Sequence, residues 1–169
     1  MAGANVSEAV RYRTALIVLS DRAAAGTRPD ACLSVAKETL GDSFEVVYER
    51  VLPDEPAALQ AELIDLADRS RMPLVLTTGG TGLAARDRTP QATAAVLDYE
   101  IPGIGEATRA ASIPLVKTAM LSRAIAGVRG TTLIVNLPGS PKAVRETLTV
   151  LLPVLPHALD LLAGEVADG

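Results

Sequence analysis

Two aspartates and a run of glycines are the parts of this sequence best suited to chemistry. Asp54 follows a Leu52-Pro53 break and Asp87 follows the glycine run, so both carboxylates fall where a chain leaves a strand or enters a helix. Brought to one sheet edge, the pair could hold Mg²⁺ between phosphate oxygens, because hard oxygen ligands match that ion. Both positions also admit plainer work, with Asp54 capping a helix that begins at Glu55 or Pro56 and Asp87 pairing with an arginine. Between them lies Thr78-Gly79-Gly80-Thr81-Gly82, at the end of the apolar run Leu74-Val75-Leu76. A simple turn needs one or two glycines; this loop has more, and it suits a phosphate or other compact anion approaching main-chain N–H groups. Thr89 reads as an N-cap and Pro90 as the first helical residue, so a helix N-terminus opens nearby.

A second polar stretch, Asn136-Leu137-Pro138-Gly139-Ser140-Pro141-Lys142, is either an ordinary strand-to-helix turn or a ligand loop. In the second case Asn136, the Gly139 and Ser140 amides and Lys142 surround another polar part of the ligand. Ser20-Asp21-Arg22, Ser122-Arg123 and Glu106 carry less weight singly, and solvated or capping roles explain each of them. Cys32 reads as a small buried residue rather than a nucleophile. His157 reads as a helix-surface or core histidine. No G-x-x-x-x-G-K-[ST] is present, and neither Gly80-Thr81-Gly82 nor Gly103-Ile104-Gly105 has a third glycine at dinucleotide spacing. With one histidine and no G-x-S-x-G, a Walker ATPase, a standard Rossmann dehydrogenase and a Ser-His-Asp hydrolase all lose support.

These loops need strands and helices to hold them. Thr14–Leu19 is a continuous apolar run of strand length, Glu45–Val51 reads as a strand near a sheet edge, and Leu74 and Thr131–Val135 open two further strands. Helical spacing covers Ala31–Leu40 before Gly41, and then Glu55 or Pro56 to Arg69. After the glycine loop come a short helix from Pro90 to Val96, an interruption over Glu100–Glu106, and a helix from about Gly105 to Ala111. Val116–Leu121 fits either type, and a small-residue stretch fills Ala124–Gly130. A long helix over Pro141–Leu162, bent near Pro153 and Pro156, closes the pattern. Strands alternating with helices imply a three-layer α/β/α sandwich around a mainly parallel sheet. The expected organisation is a single domain over residues 14–163, between a flexible N-terminal segment at 1–13 and a flexible tail at 164–169.

Length and charge set the outer bounds. A chain of 169 residues suits one domain with a sizeable aliphatic core, because it has no Trp and only Phe44, Tyr12, Tyr48 and Tyr99 as aromatics. A net charge of −4 argues against a general nucleic-acid or anionic-membrane binder. Cys32 alone excludes an internal disulfide or a multi-cysteine zinc site and fits a reducing cytoplasm. No apolar segment has the length of a membrane span.

Several of these stretches together resemble a known family. Leu-Thr-Thr-Gly-Gly-Thr-Gly from Leu76, Arg-Asp-Arg-Thr-Pro-Gln-Ala-Thr from Arg86, Ile-Pro-Gly-Ile-Gly-Glu from Ile101, Leu-Ser-Arg from Leu121 and Asn-Leu-Pro-Gly-Ser-Pro-Lys from Asn136 are similar to the molybdopterin adenylyltransferases of the MogA/MoaB type. The same unit occurs in the molybdopterin-binding domain of gephyrin. The resemblance implies a mixed sheet, usually a homotrimer, and Mg-ATP-dependent adenylylation of molybdopterin with release of pyrophosphate. Handover to a molybdenum-insertion enzyme follows from that activity. It further implies that Asp54 and Asp87 serve metal binding and catalysis. Ser20, Asp21, Thr78, Gly79, Gly80, Thr81, Gly82, Ser122, Asn136, Pro138, Gly139, Ser140 and Lys142 would bind substrate. The chain departs from the family pattern after Asp30, reading Ala31-Cys32-Leu33 where many relatives place a glycine. A molybdopterin-binding scaffold without turnover, or an unrelated small nucleotide-binding regulator, remains an alternative at this level.

Overall fold

The computed structural model describes residues 12–27 and 29–165. Of the flexible segments expected at 1–13 and 164–169, residues 1–11 and 166–169 lie outside the described residues. Six strands form one sheet in the order β2-β1-β3-β6-β5-β4. They are β1 (Tyr12–Leu19), β2 (Phe44–Leu52), β3 (Leu74–Thr78), β4 (Tyr99–Glu100), β5 (Ala126–Arg129) and β6 (Thr132–Leu137). β2, β1, β3 and β6 run parallel, while β5 is antiparallel to β6 and β4 antiparallel to β5.

The apolar runs of β1, β3 and β6 are buried on both faces, as strands covered by crossover helices must be. Alternation then sorts their side chains into two cores. Leu16, Leu74, Leu76, Leu133 and Val135 pack under α2 (Cys32–Leu40), α6 (Pro141–Leu151) and α7 (Leu155–Ala163). Ala15, Ile17, Val75 and Ile134 pack on the opposite face under α3 (Pro56–Ile64), a π-helical turn over Asp65–Arg69, and α4 (Thr89–Ala94). The result is the α/β/α sandwich around a mixed, mainly parallel sheet. At about 1.5–3 kcal/mol for each large apolar side chain buried, these two layers dominate the fold's stabilisation.

The structure corrects the reading in four places. β1 begins at Tyr12, so Tyr12 and Arg13 belong to the sheet and not to a flexible segment. The Glu100–Glu106 interruption is strand β4 followed at once by α5 (Pro102–Ser112), with Pro102 at the helix start where its missing N–H costs nothing. The small-residue stretch contains β5, whose strand character comes from pairing with β6. A side chain at Gly127 would lie 2.4 Å from the Tyr99 carbonyl oxygen, so β4 and β5 approach closely only because that position is glycine. Finally, Pro141–Leu162 is two helices meeting at 63°, not one bent helix. Among the described residues no single helix is long and apolar enough to cross a membrane. Lys117–Leu121, ambiguous by pattern, forms a 3₁₀ turn.

Candidate functional site

Because β2, β1, β3 and β6 are parallel, the segments leaving their C-terminal ends share one rim. The chain goes from β1 to β2 on one side and returns to β3 on the other, so strand order reverses between β1 and β3. A crevice opens there, at the usual ligand position of an open α/β sheet. Ser20 leaves β1 as the N-cap of the short α1 (Asp21–Ala24), its Oγ accepting from the Ala23 N–H at 3.2 Å. Asp54 leaves β2, and the two loops lock reciprocally. The Asp54 N–H donates to Asp21 Oδ1 at 2.9 Å, and the Asp21 N–H donates to Asp54 Oδ2 at 3.3 Å. Asp54 therefore does not cap α3, whose cap residue is Glu55.

The glycine loop packs against both neighbours. Gly79 has φ +100°, and a side chain there would lie 2.4 Å from the Leu19 carbonyl oxygen; Gly80 has φ +66°, and its side chain would lie 2.3 Å from Thr89 Oγ1. The added atom at Gly80 would sit 3.7 Å from Asp54 Oδ1, and one at Gly82 would sit 2.8 Å from Asp87 Oδ2. Both carboxylates thus lie against one loop. Asp87 Oδ2 accepts from the Ala84 N–H at 3.0 Å, and among the described residues Asp87 forms no ion pair with an arginine.

Thr78 and Asn136 sit at the rim with their side chains already engaged. The Thr78 hydroxyl donates to the Pro138 carbonyl. Asn136 Nδ2 donates to Thr77 Oγ1 at 2.9 Å and Thr93 Oγ1 at 3.0 Å, while its Oδ1 accepts from the Ile125 N–H at 3.3 Å. These two residues brace strand ends. The amides of Gly80, Thr81, Gly82, Gly139 and Ser140, by contrast, donate to no group among the described residues. Unsatisfied N–H groups of this kind suit anionic oxygens.

The rim carries two clefts separated by the turn after β6. The first, of about 250 Å³, contains Ser20, Asp30, Asp54, Thr78, Gly79, Gly80, Arg86, Asp87 and Gly139. Cys32 borders it, its thiol donating to the Gly139 carbonyl at 3.7 Å, and Asp30 Oδ1 accepts from the Cys32 and Leu33 N–H groups at 2.7 and 3.1 Å, capping α2 without the family's glycine. Burial pushes the Asp54 carboxyl above its usual range; the Asp21 main-chain N–H and Arg86 act against this, and the negative Asp21 and Asp87 add to it. A divalent cation would relieve that repulsion. Among the described residues no three metal-ligating side chains converge, so any cation here needs oxygen ligands from substrate or water.

The second cleft, of about 260 Å³, takes Ser122, Asn136, Pro138, Ser140 and Lys142 together with residues that sequence reasoning missed: Thr108, Arg109, Ser112, Thr118, Glu146 and Thr147. Ser140 caps α6 through the Ala143 N–H at 3.4 Å, and Ser122 Oγ accepts from the Ala124 N–H at 3.4 Å. Lys142 extends into solvent 3.8 Å from Glu146. Arg123, next to Ser122, reaches the glycine loop and the segment after it. Its main-chain N–H donates to the Thr81 carbonyl at 3.0 Å, its Nε to the Gly82 carbonyl at 2.8 Å, and a terminal nitrogen to the Asp87 carbonyl. Glu106 and His157 are exposed helix residues outside both clefts.

Comparison with known proteins points one way. Residues 15–157 match the family described as a probable molybdopterin binding domain. The molybdopterin adenylyltransferase of Helicobacter pylori is 44% identical over 149 residues, 86% of this chain and 84% of that one. The enzyme of the same name from Escherichia coli is 45% identical over 139 residues, 80% of this chain and 71% of its own. Among solved structures, the molybdopterin biosynthesis enzyme MoaB from Thermus thermophilus superposes with a TM-score of 0.86 at 49% identity, covering 90% of this chain and 97% of that one.

Proposed function

We propose, on the premise that this chain belongs to the molybdopterin-binding domain family, that it is a molybdopterin adenylyltransferase of molybdenum cofactor biosynthesis. In the reaction an oxygen of the molybdopterin terminal phosphate forms a bond to the α-phosphorus of ATP. The bond from that phosphorus to the β-phosphate bridging oxygen breaks, and pyrophosphate leaves. The attacking phosphate is anionic near neutral pH, so the protein need supply no nucleophile, only position and charge compensation. One observation carries the reading: Asp54, Asp87 and Gly80, whose amide donates to no group among the described residues, line a single cleft at the β1–β3 crevice, while Thr81 and Gly82 follow just outside its lining.

The residues fit Mg²⁺. Two carboxylates with mutual repulsion and, among the described residues, no arginine ion pair form a hard-oxygen half-shell, and Mg²⁺ commonly takes one or two carboxylates with phosphate and water as the rest. Asp54 and Asp87 would hold it; when bound, it neutralises charge on the phosphates and the leaving pyrophosphate. The Gly80–Gly82 amides hold nucleotide phosphate oxygens, and the Gly139 and Ser140 amides hold the phosphate of the pterin. Ser20 and Asp21 fix the loop that carries Asp54.

The second cleft takes the pterin ring. Its hydroxyls at Thr108, Ser112 and Thr118 match a heterocycle with alternating donors and acceptors. Glu146, the one carboxylate lining this cleft among the described residues, is suited to accept from a ring N–H and the exocyclic amine together. A homotrimer completes the proposal, with cytoplasmic residence and handover of product to a molybdenum-insertion enzyme. Leu115, Val116, Met120 and Leu121 are 63%, 46%, 58% and 49% exposed within one short segment, and an apolar group of that size supports association. Folded protein incubated with molybdopterin, ATP and Mg²⁺ is expected to yield adenylylated molybdopterin by mass spectrometry. Saturable pterin binding with no product would instead make the chain a scaffold.

A further inference from the structure

We propose that Arg123 is a positioning residue for this reaction: its guanidinium sets the pose of Asp87 by bridging two carbonyls of the loop that carries it. The inference rests on the adenylyltransferase reading for its kinetic arm, but not for its binding arm. Arg123 lines neither cleft, so it is not placed to touch substrate. Among the described residues it takes part in no ion pair either. Its donors go instead to main-chain oxygens, with Nε on Gly82 at 2.8 Å and a terminal nitrogen on Asp87, while its own amide holds Thr81 at 3.0 Å.

These contacts define the segment 82–87 at both ends. A planar fork with fixed donor directions holds two carbonyls at a set separation, which the single nitrogen of a lysine on a flexible stem does not. Inside the segment the only polar tether of the Asp87 carboxylate is the Ala84 N–H at 3.0 Å, so the carboxylate moves with the segment. The carbonyl of Asp87 is thus fixed from outside while its side chain is fixed from within. Asp54 needs no such brace, because its own loop is locked by the reciprocal pair with Asp21. Arg123 also follows Ser122, which lines the second cleft, so the brace runs from the edge of that cleft to the loop that carries Asp87.

The test compares wild type, Arg123→Lys, Asp87→Asn and the double variant. Two readouts are used: turnover, and Mn²⁺ binding in the presence of ATP followed by electron paramagnetic resonance, which needs no product. Arg123→Lys is expected to keep a cooperative melt while lowering turnover about ten-fold or more, since displacement of a reacting group by about 1 Å costs that much and more. The Mn²⁺ midpoint with ATP should rise about ten-fold, the scale seen when a partner of a metal ligand is lost. In the Asp87→Asn background the same change should add nothing, because the group it positions is gone. Three results would each overturn the proposal: turnover and Mn²⁺ midpoint like wild type, full multiplicative loss on top of Asp87→Asn, or loss of the folded state in Arg123→Lys, which would make the residue a staple of the fold. If wild type makes no product but binds Mn²⁺–ATP, the adenylyltransferase reading fails while the Mn²⁺ series still decides the role of Arg123.

Discussion

The acid cleft and the hydroxyl cleft lie on either side of one turn and are built by different rules. The first is made by the parallel half of the sheet: strand ends and tight loops put two carboxylates and bare amides together, at glycines where a side chain would lie only 2.3 and 2.4 Å from its neighbours. The second is made by faces of α5 and α6, the 3₁₀ turn and the end of β6, and among the described residues it offers hydroxyls with a single acid. The difference separates charge handling from shape and hydrogen-bond recognition. On the proposed reading, phosphate groups meet main-chain donors in the first cleft and the ring meets side chains in the second.

The largest expected effect sharpens that division. Asp54→Asn and Asp87→Asn should each lower turnover by about 10² or more, the scale for losing one preorganised electrostatic group. Pterin affinity, measured by fluorescence titration, should stay near wild type in both. Near-normal turnover in either variant would remove the special role of the first cleft. Next in size, Gly80→Ala should cost about 1–3 kcal/mol of stability by denaturant unfolding. It imposes a positive φ on a residue with a side chain and drives that side chain into Thr89. An unchanged midpoint would mean that the loop is not held as tightly as these contacts indicate. Glu146→Gln should raise the KM for pterin about ten-fold, one charged hydrogen bond, with that for ATP unchanged. A shift in the ATP value instead would put the nucleotide in the second cleft.

The smallest effect concerns Asp54 and has an unusual sign. Its carboxyl is raised in the folded chain, so between the unfolded and folded values the folded state binds more protons and stability falls as pH rises through that window. At neutral pH the charged group remains a net cost to folding. Asp54→Asn removes the cost and its side-chain oxygen can still accept from Asp21. The variant should therefore melt at or above the wild-type temperature at neutral pH, with the gap closing as pH falls through the folded value. A lower melting temperature at neutral pH would contradict the assignment.

Much of the first cleft was legible because its residues fall at strand ends. Asp54, the Thr78–Gly82 loop and Asp87 stand in breaks between apolar runs, and parallel topology carries such breaks to one edge. What spacing could not show was where side chains point. Thr78 and Asn136 reach the rim, yet their polar atoms are spent on Pro138, Thr77, Thr93 and Ile125. The second cleft was less legible, since Thr108, Ser112, Glu146 and Thr147 lie inside helices, where spacing does not mark them as ligand residues. Arg123 stood out only as the last residue of the Leu-Ser-Arg motif, and its role stayed hidden because its partners are carbonyls, which no sequence displays. β4 and β5 escaped for a related reason: two- and four-residue strands have no periodicity of their own and exist by pairing.

The most direct test is a crystal structure of the protein with molybdopterin and α,β-methylene ATP. The account predicts the pterin ring against Glu146 in the second cleft and the triphosphate on the Gly80–Gly82 amides between Asp54 and Asp87. The pterin phosphate should approach the α-phosphorus to about 3–3.5 Å across the turn after β6. Both ligands in one cleft, or a triphosphate away from the two aspartates, would contradict it.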